Sequence, residues 1–158
     1  MALVLLALMA VLPCAAPPCT CIELPPVRAV ADAGVVLERA RAIFVGRVER
    51  VEPRLRSVPG DSGRTMHFRE VRVRLRVQRQ FAGPKMKTLT VVSGAGGGDC
   101  GVGFEKGRSY LVYVLPNAQQ DGETYVSICD GTKPVSEAAA ELDLLQRAAD
   151  DRRRKAPQ

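Results

Sequence analysis

The chain has 158 residues and a formal net charge of +6, with 23 Lys and Arg against 17 Asp and Glu, one histidine and no tryptophan. That length suits one domain, and a charged fraction of 25% is ordinary for a globular chain. The lone His67 excludes a multi-histidine metal centre, and no nucleophile motif accompanies it for Ser–His catalysis, so the composition points away from an enzyme.

Residues 1–18 read as a secretory signal. Positions 2–12 form an unbroken apolar run, Pro13 breaks it, and Cys14-Ala15-Ala16 offers small residues for cleavage. Cleavage is expected after residue 16, within a window of 15–18. A membrane-spanning helix would need a longer run without the prolines at its end. A lipid-bearing Cys14 is the other fate open to the leader, but Pro13 stands where a small residue normally precedes such a cysteine. Every Lys, Arg, Asp and Glu lies beyond Cys21, so the positive charge belongs to the mature domain and suits acidic partners or anionic surfaces.

Five cysteines become four once Cys14 leaves: Cys19, Cys21, Cys100 and Cys129, which allow three pairings. An oxidising compartment outside the cytoplasm makes disulfides their default use. Cys19 and Cys21 point the same way on an extended strand, so each can reach a different distant segment. A four-cysteine zinc site is the competing use. Against it stand the Cys-x-Cys spacing, tighter than a Cys-x-x-Cys knuckle, and export itself.

Residues 22–30 are proline-containing and irregular. Val35, Val36, Leu37 and Ala40 predict a short helix over 31–41. A first strand is predicted at 42–51, with Gly46 marking a bulge or bend inside it. A polar loop tip follows at 53–65. The cleanest pattern is the second strand, 66–81, where Val71, Val73, Leu75 and Val77 alternate with Arg72, Arg74, Arg76 and Gln78. After a turn at 82–85 come a third strand at 86–93, a glycine-rich connection at 94–98, a fourth strand at 109–115, a turn at 117–123 and a fifth strand at 124–129. A helix is expected over 134–149 with Ser136 as its N-cap and Ala139, Leu142, Leu145 and Gln146 on one face. The charged tail, 150–158, is expected to fray. Tyr110, Tyr113 and Phe104 are expected in the core.

Five strands with a helix before and after describe a small closed sheet, and a five-stranded OB-type Greek-key barrel fits the count. An immunoglobulin-like sandwich needs about seven strands. The domain is expected to span 19–149.

Gly96-Gly97-Gly98-Asp99-Cys100-Gly101 satisfies a dinucleotide-binding pattern literally, but no helix follows it, and a bridged cysteine explains it better. The ladder Arg69, Arg72, Arg74, Arg76 and Arg79 is a solvated strand face or a polyanion site. Only Phe68 lies among these arginines, whereas single-strand binders interleave several aromatic platforms.

The joint order of Cys19-Thr20-Cys21, Ala42-Ile43-Phe44-Val45-Gly46, Phe81-Ala82-Gly83, Asp99-Cys100-Gly101 and Ser127-Ile128-Cys129 resembles the N-terminal inhibitory domain of tissue inhibitors of metalloproteinases, within the wider netrin-like group. The stretch from Phe104 to Tyr113 resembles bacterial members of that group. The resemblance covers Cys19 to about Leu145. It implies an OB barrel, bridges Cys19–Cys100 and Cys21–Cys129, and neither a cofactor nor a metal of the protein's own. It also implies a partner, an extracytoplasmic zinc metalloprotease, and a mode of action. The free α-amine and carbonyl of Cys19 chelate the protease's zinc, and Thr20 enters the adjoining pocket, with Cys21 completing the protease-binding segment. A catalytic zinc keeps one position open, which an amine can fill. Cleavage after Ala16 leaves Pro17 and Pro18 attached and converts that amine to an amide. The expected function is therefore a secreted, periplasmic or envelope-located protein-binding module. Polyanion binding through Arg72, Arg74 and Arg76, or a structural envelope domain, stand as alternatives.

Overall fold

Asp32 starts the first helix. Its Oδ2 accepts hydrogen bonds from the backbone N–H groups of Ala29 (2.9 Å), the N-cap, and of Arg28 (3.0 Å) just before it. Helix α1, Val30–Arg39, buries Ala33, Val36 and Leu37. The structure, a computed structural model, describes residues 19–21, 27–61, 63–96 and 98–155. The expected leader with Cys14, most of the irregular stretch after Cys21 and the last three residues of the tail lie outside the described residues.

Two long strands follow, β1 (Ala42–Pro59) and β2 (Thr65–Ala82), paired antiparallel from Ile43↔Ala82 to Pro59↔Thr65. The expected loop over 53–65 is a correction: strand runs through most of it and only the short segment between Pro59 and Thr65 turns. Pro53 and Pro59 suggested a loop, but past Val48 β1 has no strand partner on its β4 side among the described residues, and proline is tolerated in such an edge. The register slips at Gly46, as its place inside a strand predicts. A Cβ there would lie 2.8 Å from Phe44 Cε2.

Strand β3 (Thr88–Gly94) pairs with β2, and β4 (Ser109–Val114) pairs with the start of β1. The short strands β5 (Gln119–Gln120) and β6 (Glu123–Thr124) pair with each other, and β7 (Lys133–Pro134) pairs with β4. The main sheet is antiparallel, in the order β3-β2-β1-β4-β7. It has five strands, but the fifth is not the one expected. Residues 124–129 leave the strand conformation after Thr124, because Asp130 clasps Ser127 into a 3-10 turn over Ile128–Asp130. The chain after β6 still touches the far edge of the sheet. Tyr125 and Val92 form an isolated parallel bridge, and Val126 N–H donates to the Val92 carbonyl at 2.9 Å.

Helix α2, Ala139–Lys155, begins later than expected and ends later. Val135–Glu137 is a 3-10 turn, so Ser136 is not an N-cap. Ala139 is exposed, and the inner face is instead Leu142, Leu145, Ala148 and Ala149. Asp150 and Asp151 pair with Arg153 and Arg154 one turn on, which extends the helix through most of the tail expected to fray.

The sheet buries both faces of the start of its first strand, Ala42 to Val48, giving two apolar layers. On one face Phe44, Val48, Val73, Leu75, Phe104, Tyr110 and Val112 pack together. On the other Ile43, Val45, Leu111 and Tyr113 meet α1 and α2. Tyr110 and Tyr113 are thus both core residues, as expected, but in different layers.

Candidate functional site

The described chain begins on Cys19, and its first three residues are fastened to two loops at one end of the sheet. Cys19 is bonded to Cys100 and Cys21 to Cys129, with Cα–Cα separations of 5.4 and 5.1 Å. This is the pairing that the resemblance implies. All four Sγ atoms lie within 4.8 Å of one another. The cysteines are half-buried, whereas Thr20 between them is exposed. A side chain is therefore presented to solvent from a segment held on both sides.

Local hydrogen bonds shape both receiving loops. Asp99 Oδ1 accepts from the N–H groups of Gly96 (3.0 Å) and Gly101 (2.9 Å), which turns the chain so that Cys100 sits at φ 57°. Around Cys129, Asp130 Oδ2 accepts from Ser127 N (2.8 Å) and Ser127 Oγ (3.1 Å), and Gly131 closes the turn at φ 89°. Partial burial pushes the Asp130 carboxyl above its ordinary pKa, against those two hydrogen bonds. The loops also touch directly, since Ile128 N–H donates to the Cys100 carbonyl at 3.1 Å.

Beside this joint lies an open cleft of about 450 Å³, whose walls include Cys100, Asp99, Ser127, Asp130, Arg56 and Tyr125. One wall belongs to the β1–β2 ribbon, fixed there by an ion-pair network that sequence reasoning missed. Glu70 is 5% exposed. It accepts from Arg54 Nε at 2.9 Å and from Arg56 Nε at 2.7 Å. Arg54 Nη2 also reaches Glu123 at 2.7 Å and donates to Tyr125 Oη at 2.9 Å. Arg72 pairs with Glu123 as well. The hydrogen bond to Glu123 raises the Arg54 pKa most, against the cost of its burial. The bonds from Arg54 and then Arg72 hold the Glu123 carboxyl below its usual value. Arg56 stacks over Phe68 at 5.3 Å and Tyr125 at 5.8 Å. The available signal was Glu70 itself, the single acidic residue among the arginines from 69 to 79.

The arginine ladder is exposed but uneven. Arg72 is engaged by Glu123, while Arg74 and Arg76 lie 3.4 and 3.7 Å from Glu49. Arg76 faces Arg47 directly across the strands, and Arg74 faces Arg50. Arg79 lies over the Phe81 ring at 5.8 Å. His67 is exposed, shares a 2.8 Å hydrogen bond with Ser57 Oγ, and stands on the ribbon wall of the same cleft. The glycine pattern around Cys100 serves the turn just described and leads into no helix.

Among the described residues, no helix is long and apolar enough to cross a membrane. No protein-family model matches the chain, and no curated protein matches it.

Proposed function

We propose that this is an exported, disulfide-stapled binding module of the netrin-like type, whose N-terminal Cys-Thr-Cys segment engages an extracytoplasmic zinc metalloprotease. The observation that carries the proposal is the exposed Thr20 between two anchored cysteines. Binding then orders almost nothing new, which is the general advantage of a preorganised segment. The parallel contact of Tyr125 with Val92 supports the finer reading of the fold, an OB-type barrel curled by that contact.

The chemistry turns on one nitrogen. In a chain beginning at Cys19, the α-amine and carbonyl form a five-membered chelate for a zinc with an open position. An α-amine has a pKa of about 7.7–8.0, so freeing its lone pair near neutral pH costs little. A chain retaining Pro17 or Pro18 carries an amide there and cannot chelate. The test compares recombinant chains beginning at Cys19 and at Pro17 against a panel of zinc proteases. The first inhibits and the second does not. Thr20→Gly in the first weakens inhibition while leaving the chelate. Equal inhibition by both chains would exclude chelation, and none by either would leave a binding or structural module of another kind.

A second reading has its own support. Two like-charged cross-strand pairs, Arg47 with Arg76 and Arg50 with Arg74, face only two carboxylates: Glu52 pairs with Arg50 at 2.6 Å, and Glu49 lies between Arg74 and Arg76. Like charges directly opposite destabilise a sheet, and a polyanion laid along this face would relieve that repulsion. Replacing Arg72, Arg74 and Arg76 by Ser should then abolish retention on heparin without unfolding. Unchanged retention would locate polyanion binding elsewhere.

A further inference from the structure

We propose that, once both bridges are reduced, Cys19, Cys21, Cys100 and Cys129 bind one soft divalent cation such as Zn²⁺ as a tetrathiolate. The four Sγ atoms already lie within 4.8 Å of one another. A tetrahedral zinc with Zn–S bonds of about 2.3 Å sets its sulfurs ~3.8 Å apart. Moving from bridges to a metal site therefore asks the bonded pairs to separate and the widest pair to close by about an ångström. Side-chain rotation supplies shifts of that size without moving the backbone.

The tight Cys-x-Cys spacing argued against such a site, but the fold removes that objection. Cys19 and Cys21 contribute from one short segment while Cys100 and Cys129 approach from separate loops, so the donor set comes from three stretches of chain. The two loops are also held without sulfur. Asp99 clasps the Cys100 turn, Asp130 clasps the Cys129 turn, and the Ile128 N–H to Cys100 carbonyl bond joins them. Four thiolates around a dication carry a net double negative charge. Arg56 and Arg69 stand on the cleft beside Cys100 and offset part of it, opposed by Asp99 and Asp130.

The two states exclude each other, and their interconversion balances. A dithiol reductant delivers two electrons and two protons to each bridge, yielding two thiols, and is itself oxidised to a disulfide. Binding the cation displaces the four thiol protons to solvent. A thiol oxidant removes the electrons again, restores both bridges and releases the cation. The site is independent of protease inhibition.

The test uses the full chain carrying Cys14→Ser, reduced with a phosphine under inert gas and titrated with Cd²⁺. The expected result is an endpoint at one cadmium per chain, with thiolate-to-cadmium absorbance and protected backbone amides in β1 and β2. Zn²⁺ should displace the cadmium. In the Cys100→Ser, Cys129→Ser double variant about half of that absorbance is lost, because two of four ligands are gone. Adding diamide to the loaded parent should release the metal to a chromophoric chelator in step with the loss of free thiols. The proposal is overturned if the reduced chain takes up no cadmium, or if the bridged chain takes up as much. It is equally overturned if the double variant titrates like the parent, or if uptake occurs with no protected amides in the sheet.

Discussion

Gly101 approaches Gly94 so closely that a Cβ at position 101 would lie 2.2 Å from the Gly94 carbonyl oxygen. The contact is backbone against backbone, so no flexible side chain can yield. It seats Cys100 against the end of β3, within reach of Cys19. Gly101→Ala should therefore destabilise by about 3 kcal/mol, the upper end of ordinary overpacking costs. Equilibrium denaturation checks this, and a free-thiol assay should show incomplete closure of Cys19–Cys100. Wild-type stability in the variant would mean that the loop at Gly101 moves readily off the end of β3.

Cys129→Ser should cost ~2–5 kcal/mol, as loss of a native bridge commonly does. The remaining bridge still joins Cys19 to Cys100, so the melting temperature should fall without loss of the sheet signal in circular dichroism. A crossed product, Cys21 bonded to Cys100, would appear in non-reduced peptide mass spectra and would contradict the loop geometry.

Glu70→Gln should cost about 1.5–3 kcal/mol, because two guanidinium groups lose a charged acceptor in a mostly buried place. Acid should act on the same network through Glu123. Its folded pKa lies below the ordinary 4.5, so its contribution is complete above that value and is lost as pH falls through the lowered folded pKa. Denaturation midpoints measured from pH 6 downward should show less acid loss in Glu123→Gln than in the parent. Identical acid profiles would remove Glu123 from the account.

Tyr113 should show the opposite dependence. Burial, reinforced by its hydrogen bond to Glu141, pushes the phenol above its ordinary 10. Its contribution is therefore present below pH 10 and lost as pH rises through the raised folded value. Tyr113→Phe should cost about 1 kcal/mol at neutral pH, the size of one hydrogen bond, and flatten the alkaline limb of the stability profile. Lys133, 2.7 Å from Glu141, keeps that carboxylate partnered in the variant.

The elements readable from sequence were those whose burial repeats regularly. β2 alternates Val71, Val73, Leu75 and Val77 with arginines, and the strand formed where that alternation lies. The start of β1 also read as strand, since Ile43 and Val45 serve one layer and Phe44 the other. Pro53 and Pro59 hid its second half, because proline carries no record of whether its neighbour strand is present. Thr124 to Cys129 has strand composition, yet a single carboxylate at Asp130 decides the turn. The N-terminal site was visible as Cys-Thr-Cys. The Glu70 network was not, because Arg54, Glu70 and Tyr125 are far apart in sequence and meet only through strand register.

The two bridges span 81 and 108 residues. During synthesis Cys19 and Cys21 emerge first and their partners follow much later, Cys100 well before Cys129. Folding is thus locked late, and the two cysteines made early wait for partners made long after them. A chain interrupted between Cys100 and Cys129 can close one bridge, and Cys21 is then left as a free thiol. Any such unfinished chain bears a chemical mark of its incompleteness, one that a thiol-scanning quality-control system can recognise.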